Sequence, residues 1–160
     1  MTAGTRDPAL DPSIDPNDLD DAEWQAILSP IEHRILRHSG TEPAGSGRYL
    51  QSPGPGAFHC AGCGNRLYGA DHKFHSGCGW PSFFQEVESG AISTHEDRSF
   101  FMRRTEMRCA RCGGHLGHIF RDAPQTPTGL RHCVNGFAIV HVPQGEDPRA
   151  VFTRHRASQR

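Results

Sequence analysis

The chain has 160 residues, of which 35% are hydrophobic, and a formal net charge of −1 at pH 7. This length and composition suit one compact domain with a modest core. The near-neutral charge gives no electrostatic basis for binding nucleic acid, and the sequence contains no apolar run of about 18 residues, the length that crosses a bilayer. We therefore expect neither a nucleic-acid partner nor a membrane span.

The first 20 residues are rich in Asp and Pro and poor in large apolar side chains. Such a segment buries too little surface to offset the entropy of ordering it, so we expect residues 1–20 to be a disordered leader. They also lack the basic and apolar regions of a secretory signal, which predicts a cytoplasmic protein. In that compartment the six cysteines are more typical of metal ligands and redox thiols than of the alternative, a secreted disulfide framework.

Two short helices are predicted next. The apolar residues from Trp24 to Leu28 have the spacing of an amphipathic helix, which Asp20 or Asp21 can cap. Residues 29–32 have the Ser-Pro-x-Glu pattern of a capping box, so a second helix is predicted to start there and to end at Gly40. Residues 41–56 are dense in Gly, Pro and Ser and predict a surface loop.

Short strand-like runs replace the helical spacing after residue 57. In the longest run, residues 100–109, Thr105 and Met107 fall on one face and Arg104 and Glu106 on the other, which predicts a half-buried antiparallel strand. The other runs are 57–60, 91–94, 130–134 and 137–142. Residues 144–160 are polar, have no clear period, and are expected to form a flexible tail.

Four of the six cysteines form two matching CxxC pairs, Cys60 with Cys63 and Cys109 with Cys112, each followed by glycine. Zn²⁺ prefers a tetrahedron of such thiolates, and four of them leave no open position for a catalytic water. Because 45 residues separate the pairs, the ion would join distant parts of the chain, and we predict one structural zinc ion. A redox-active CxxC and an iron–sulfur cluster are the alternatives.

The remaining cysteines are Cys78 and Cys133. A lone cysteine in a strand pattern, such as Cys133, is more often a small buried hydrophobe than a nucleophile. Its neighbours favour a reactive thiol, because Arg131 and His132 can stabilise a thiolate and Asn135 shares the same side of the strand. Cys133 is therefore a candidate nucleophile.

Two further segments carry groups suited to chemistry. His115 and His118 directly follow the second CxxC pair, and since four cysteines satisfy a zinc ion, the imidazoles are free for proton transfer. Surface or hydrogen-bonded core histidines are the simpler interpretation. Cys78 lies between two glycines, and the nearby Trp80 and Phe83 either form an apolar wall or pack in the core.

The informative segments follow one another in a fixed order over residues 22–142. They are 29–47 with its Gly-Thr-Glu-Pro, the two CxxC pairs, SGCGWPSF at 76–83, DRS at 97–99, RRTE at 103–106, HLGHIF at 115–120, PTG at 127–129 and RHCVN at 131–135. Together they resemble the B-type peptide methionine sulfoxide reductases, which act on the R epimer of the sulfoxide.

The resemblance implies a mainly β fold of two twisted antiparallel sheets with short N-terminal helices, occupying residues 21–143. It places the zinc site at the end away from catalysis. It also implies roles for individual residues: Cys133 as nucleophile, Cys78 as resolving thiol, His115, His118 and Asn135 as polar groups of the site, Trp80 and Phe120 as the wall that holds the substrate methyl group, and Cys60, Cys63, Cys109 and Cys112 as zinc ligands.

Several positions depart from the family pattern, although none of them removes a reacting atom. His75 replaces an acidic residue, Ala123 a glycine and Gly136 a serine; Ala44 stands where Pro-Phe is usual, and one extra residue occurs near positions 125–126. Glycine at position 136 is expected to loosen the strand beside the nucleophile.

A sulfoxide sulfur is electrophilic only when its oxygen is protonated or strongly hydrogen-bonded. We therefore expect a Cys133 thiolate to attack the sulfur of free or protein-bound methionine-R-sulfoxide while His118, with His115 and Asn135, directs a proton to the oxygen. The resulting sulfenic acid would form a disulfide with Cys78, which thioredoxin or a similar dithiol would reduce. Two other functions remain open: a non-catalytic zinc-binding β-domain, and an oxidant sensor.

Overall fold

The computed structural model describes residues 5–159 and is mainly β, as predicted. In this range the strands are β1 (Gly56–Cys60), β2 (Arg66–Gly69), β3 (Lys73–Phe74), β4 (Ser82–Phe83), β5 (Ile92–Asp97), β6 (Arg104–Cys109), β7 (His115–Ala123), β8 (Gly129–Val134) and β9 (Ile139–Pro143). They form two antiparallel sheets, one with the order β2-β1-β9 and the other with the order β3-β4-β8-β7-β6-β5. Strands β7 and β8 are central in the larger sheet and carry His115, His118 and Cys133.

Both predicted N-terminal helices are confirmed, as α1 (Asp21–Ile27) and α2 (Pro30–His38). Each begins with a capping box, in which Asp20 pairs with Glu23 and Ser29 with Glu32. These reciprocal bonds satisfy amide groups that the first turn of a helix leaves without partners. No helix within residues 5–159 is long and apolar enough to cross a membrane.

The strand pattern differs from the prediction in several places. Strands β2, β3, β4 and the longest strand, β7, are not among the predicted runs. The run expected at 100–109 becomes a strand only from Arg104, because Phe100 and Phe101 adopt left-handed φ angles of 57° and 59°. Within β6, Met107 is buried, but Thr105 on the same predicted face is exposed and Glu106 on the other face is buried, so the predicted alternation holds only in part. Glu106 is buried because its carboxylate pairs with His115 on β7.

Both ends of the described chain are structured, in contrast to the expected leader and tail. Residues 148–158 form a third helix, α3 (Pro148–Ser158), which buries Val151 and Phe152. Its Arg156 donates to the buried carboxylate of Asp7 at 2.8 Å, and Arg111 donates to backbone carbonyls of the N-terminal segment. Polar contacts with the domain thus order a segment whose composition predicts disorder; residues 1–4 and 160 of the predicted leader and tail lie outside the described residues.

The core lies against both sheets and fixes strand β4. Phe83 on β4 stacks on Tyr68 of β2 with ring centroids 4.3 Å apart, and Phe58 of β1 meets Phe83 edge-on at 5.1 Å. All three rings are fully buried. This aromatic group links the two sheets and sets the position of β4 beside β8.

Candidate active site

The two isolated cysteines are close neighbours in the fold. Cys133 lies in β8, where it is paired with Ser82 of β4 on one side and His118 of β7 on the other. Cys78 lies in the loop before β4, between Gly77 and Gly79, whose φ angles are 77° and 94°. The two sulfur atoms are 3.9 Å apart. A disulfide bond has a length of about 2.05 Å, so a shift of about 2 Å would join them.

Two serine hydroxyls surround the sulfur of Cys78. Ser76 Oγ lies 3.0 Å from Cys78 Sγ and 2.8 Å from Ser82 Oγ, and Ser82 Oγ is 3.5 Å from the same sulfur. Partial burial raises the pKa of the Cys78 thiol, but the hydrogen bonds from Ser76 and Ser82 outweigh burial and lower the pKa to about 7. Cys78 is therefore substantially ionised at neutral pH.

Cys133 is in the opposite electrostatic situation. Burial raises the pKa of its thiol to about 12, and the neighbouring Cys78 adds to the increase while Arg131 opposes it. Two thiols at this separation titrate as a pair, because the first negative charge disfavours the second. The lower pKa of Cys78 therefore favours the first thiolate of the pair on Cys78.

Both sulfurs open into a cavity of about 220 Å³. Six residues expected at the site line it: Cys78, Trp80, His118, Phe120, Cys133 and Asn135. The other lining residues are Thr41, Arg104, Gly117 and Arg131. The fold thus brings together residues that are up to 94 positions apart in the sequence, from Thr41 to Asn135.

The two histidines differ in position. His118 lines the cavity, and its Nε2 lies 2.8 Å from the Asp97 carboxylate. His115 is buried behind it, with ring centroids 5.6 Å apart, and is not part of the cavity lining. Burial lowers the pKa of His115, although its contact with Glu106 at 2.6 Å opposes this. His115 Nε2 has no hydrogen-bond partner among the described residues.

Asn135 and Trp80 hold the loop that follows α2 against the site. Asn135 Oδ1 accepts a hydrogen bond from the backbone of Glu42 at 3.0 Å, and its Nδ2 donates to the carbonyl of Leu116 at 3.0 Å. Trp80 Nε1 donates to the carbonyl of Glu42 at 3.0 Å. The polar atoms of both side chains are therefore engaged within the protein.

Phe120 is covered on one face by Arg131, whose guanidinium carbon lies 4.4 Å from the ring centroid. Asp122 holds that guanidinium with two hydrogen bonds of 2.9 Å. The arginine is thus fixed in place at the cavity wall beside Cys133, where its charge favours a thiolate.

Gly136 does not loosen the strand as expected. It follows β8 in a short turn and is buried, and an added Cβ would lie 2.2 Å from the carbonyl oxygen of Arg48. Arg48 in turn donates to the carbonyls of Gly136 and Ile139. Glycine is required here because the backbone of the 41–55 loop approaches closely.

Some residues at the site were not singled out from the sequence. Asp97 and Arg104 lie within segments that carry the family resemblance. The ion pairs of Asp97 with Arg104 and with His118 depend on the pairing of strands β5, β6 and β7, which the sequence does not show. Ser76 and Ser82 likewise lie in a matching segment, on either side of Cys78. Two serines at these short distances from a cysteine in the sequence are the signal that could have indicated hydrogen bonds to its sulfur.

The four remaining cysteines form a separate buried cluster. Their sulfur atoms lie within 4.8 Å of one another, with Cys60 and Cys112 at 3.7 Å and Cys63 and Cys109 at 3.5 Å. A tetrahedral zinc ion with Zn–S bonds of about 2.3 Å places its ligands about 3.8 Å apart. The cluster therefore has the geometry and the thiol chemistry to hold a metal ion.

Strand β6 runs from the cavity to the four-cysteine cluster. Its first residue, Arg104, lines the cavity and its last, Cys109, belongs to the cluster. At about 3.4 Å per residue these ends are about 17 Å apart. None of the four clustered cysteines lines the cavity.

The fold and the site together define a small antiparallel β-domain with two thiols in one cavity and four clustered cysteines elsewhere. Residues 28–143 match the SelR domain family. Relatives named peptide methionine sulfoxide reductase MsrB occur in Agrobacterium fabrum strain C58, 50% identical over 123 residues (77% of this chain and 90% of the relative), and in Methanosarcina mazei strain Goe1, 44% identical over 117 residues (73% and 83%). The chain belongs to the MsrB family and is a peptide methionine sulfoxide reductase.

Proposed function

We propose that the protein reduces the R epimer of methionine sulfoxide, in oxidised proteins and as the free amino acid, with Cys133 as nucleophile and Cys78 as resolving thiol. The observation that carries the proposal is the 3.9 Å separation of the two sulfurs in a cavity that His118 also lines. The sulfoxide needs a thiolate and a proton source at the same place.

In the chemical step the Cys133 thiolate attacks the sulfur of the substrate while the sulfoxide oxygen takes up a proton. The oxygen ends on Cys133 as a sulfenic acid, and the sulfide leaves as methionine, so the cysteine is oxidised by two electrons. His118 is the proton donor, since it lines the cavity and Asp97 holds its Nε2 at 2.8 Å. General acid catalysis of this kind contributes about 10²–10⁴ in rate.

His115 and Asn135 act through the groups they hold. His115 packs against His118 and is fixed by Glu106, and Asn135 ties the 41–55 loop to β7. We assign both to positioning the acid and the cavity wall.

A thiolate on Cys133 requires a change in the pair, because Cys78 carries the charge in the reduced arrangement. Cys78 lies in a loop between two glycines and is only partly buried, whereas Cys133 is held in a central strand. We propose that the entering substrate displaces Cys78. Cys133 then loses its negative neighbour while Arg131 keeps its position. The loss of that charge and the remaining guanidinium both favour the Cys133 thiolate.

Recycling uses the low pKa of Cys78. Its thiolate attacks the Cys133 sulfenic sulfur, water leaves, and a disulfide forms; thioredoxin or a similar dithiol then reduces the bond by exchange. A thiol whose pKa lies near the ambient pH is the most effective attacking group in such exchanges. The reducing cytoplasm, where thioredoxin keeps thiols reduced, is the compartment that suits this cycle.

Trp80 and Phe120 are proposed to contact the methyl group on the substrate sulfur. Both aromatic rings line the cavity that contains the two thiols. An apolar wall on one side and a proton donor on the other distinguish the two sulfoxide epimers, which exchange the positions of oxygen and methyl.

The four clustered cysteines are proposed to hold one structural zinc ion. Bound zinc would supply cross-links between the turn after β1 and the turn after β6, with no open coordination position. Hydrogen bonds from the backbone of Gly114 to Cys112 Sγ and from Asn65 to Cys109 Sγ, at 3.3 and 3.6 Å, suit thiolate ligands.

The function is tested by incubating the protein with separated R and S methionine sulfoxide epimers and dithiothreitol, and measuring the methionine formed. We expect turnover of the R epimer and none of the S epimer. Equal turnover of both epimers would contradict the assignment of the cavity wall, and absence of methionine with the R epimer would contradict the proposed reaction.

A further inference from the structure

The hairpin between β5 and β6 ends in an exposed apolar tip, which we define as Phe100, Phe101 and Met102. Phe100 is 80% exposed, Phe101 is fully exposed and Met102 is 45% exposed. By contrast, Phe58, Phe83 and Phe152 are completely buried. Contiguous exposed apolar groups commonly mark interaction sites, whereas single exposed apolar residues are normal on the surface of a monomer.

The backbone of the tip is also strained. Phe100 and Phe101 have φ angles of 57° and 59°, in the left-handed region that costs a residue with a bulky side chain conformational energy. Glycine would adopt the same conformation without that cost. Neither ring recovers the cost by burial within the domain, and such strain concentrates at functional sites.

The base of the hairpin forms part of the cavity wall. Asp97 and Arg104 are the last paired residues of β5 and β6. Arg104 lines the cavity, and its guanidinium lies 3.3 Å from the Asp97 carboxylate, which holds His118 at 2.8 Å. Phe101 is three residues from Arg104, a reach of about 10 Å along the chain. The tip therefore projects from the rim of the cavity.

We propose that the tip binds an apolar side chain of the polypeptide that carries the methionine sulfoxide, close in sequence to the oxidised residue. This inference rests on the proposed function. The cavity of about 220 Å³ takes little more than one side chain, so the rest of a polypeptide substrate must lie outside it, along the rim. The tip is continuous with that rim.

The chemistry of the substrate points to an apolar partner. Methionine is a core residue of folded proteins, and its oxidation to the sulfoxide disrupts cores, so apolar neighbours become exposed together with it. An exposed aromatic pair offers such neighbours a contact that free methionine sulfoxide cannot make. The tip thus favours damaged protein over the free amino acid.

The expected kinetic effect is confined to binding. The tip does not touch the reacting atoms, so its contact is equal in the ground state and the transition state, and its loss raises KM and leaves kcat unchanged. Loss of a hydrophobic contact of this size corresponds to about a tenfold change in kcat/KM.

The test uses the double variant Phe100→Ser with Phe101→Gly, since glycine suits the left-handed conformation and relieves its strain. Three substrates are compared with dithiothreitol as reductant: a pentapeptide with R-methionine sulfoxide between leucines, one with it between serines, and the free sulfoxide. We expect KM to rise about tenfold for the leucine peptide only. The control variant His95→Ser, exposed on β5 of the same hairpin, should match the wild type for all three substrates.

Unchanged KM values in the double variant would overturn the proposal, as would an equal loss on all three substrates, which indicates a structural effect. A concentration-dependent dimer of the wild type in sedimentation, absent from the double variant, would instead assign the tip to self-association. If the wild type reduces none of the three substrates, the proposed function fails, which is distinct from failure of the tip.

Discussion

The two groups of cysteines have almost the same spacing and very different surroundings. In the four-cysteine cluster the nearest sulfurs are 3.5 and 3.7 Å apart, and in the cavity pair they are 3.9 Å apart. The clustered cysteines are buried at strand ends and turns, whereas Cys78 and Cys133 are partly exposed in one cavity. The distance between thiols therefore does not determine their chemistry; burial, access and neighbouring groups do.

The neighbours of each group suit different outcomes. The cluster receives backbone and amide hydrogen bonds and has no access to the cavity, which suits permanent metal ligation. The pair has serine hydroxyls beside Cys78 and the guanidinium of Arg131 beside Cys133, which suits reversible oxidation. Substitutions in the two groups should therefore fail in different ways.

Cys133→Ser should have the largest effect on catalysis. A serine hydroxyl is a far weaker nucleophile than a thiolate at neutral pH, so methionine release from the R sulfoxide should fall below detection even in a single turnover. The thermal midpoint and the metal content should equal those of the wild type, because Cys133 lies outside the four-cysteine cluster. Full activity in this variant would contradict the assignment of the nucleophile.

Cys60→Ser should have the largest effect on stability. Removal of one of four thiolate ligands weakens metal binding, and binding of a structural zinc ion contributes directly to folding, so the loss should be several kcal/mol. Elemental analysis and thermal unfolding measure the two consequences together. The matched control is Cys78→Ser, which should retain one zinc ion per chain; wild-type protein free of zinc would refute the metal assignment.

Features that depend on near neighbours in the sequence were predictable. The cap at Asp20 and the capping box at Ser29 each lie within one helical turn, and both CxxC pairs are recognised by their spacing. The order of the motifs also indicated which thiols and histidines belong together. In particular, Cys133 and Cys78 could be predicted as the site thiols from the sequence, whereas the distance between their sulfur atoms could not.

Features that depend on long-range pairing were not predictable. Strand β7 combines histidines, glycine and charged residues, and its register with β6 and β8 alone explains why it is a strand. Glu106 is buried because His115 lies opposite on the neighbouring strand. Asp7 and Arg156 are 149 residues apart, so neither terminal segment by itself reveals the ion pair that orders both.

Cys78→Ser should separate the first chemical step from recycling. The variant should still release about one methionine per chain, since Cys133 forms its sulfenic acid without help. Turnover with thioredoxin should then stop, because no disulfide forms for exchange. Rapid-quench measurement of methionine against steady-state turnover distinguishes the two phases. Unaltered cycling with thioredoxin would remove Cys78 from the scheme.

Ser76→Ala should have the smallest effect and is the most direct test of why the cavity thiols differ from the clustered ones. The Ser76 hydroxyl, 3.0 Å from Cys78 Sγ, is one of the groups that lower the pKa of that thiol to about 7. Its loss should raise the pKa by about one unit, so that the ionised fraction at pH 7 falls from about a half to about a tenth. The Cys78 thiolate then attacks the sulfenic acid more slowly.

The sign of the pH dependence follows from that shift. At pH 7 the Ser76→Ala variant should convert the Cys133 sulfenic acid to the disulfide about fivefold more slowly than the wild type. At pH 9 the two rates should be nearly equal, because Cys78 is ionised in the variant as well as in the wild type. Alkylation of Cys78 by iodoacetamide, followed by mass spectrometry against pH, measures the midpoint directly. Ser93→Ala, at a serine on β5 outside the cavity lining, is the control and should leave the midpoint near 7. An unshifted midpoint in Ser76→Ala would mean that the hydroxyls do not set the ionisation of Cys78, and the contrast between the two cysteine groups would then rest on access to the cavity alone.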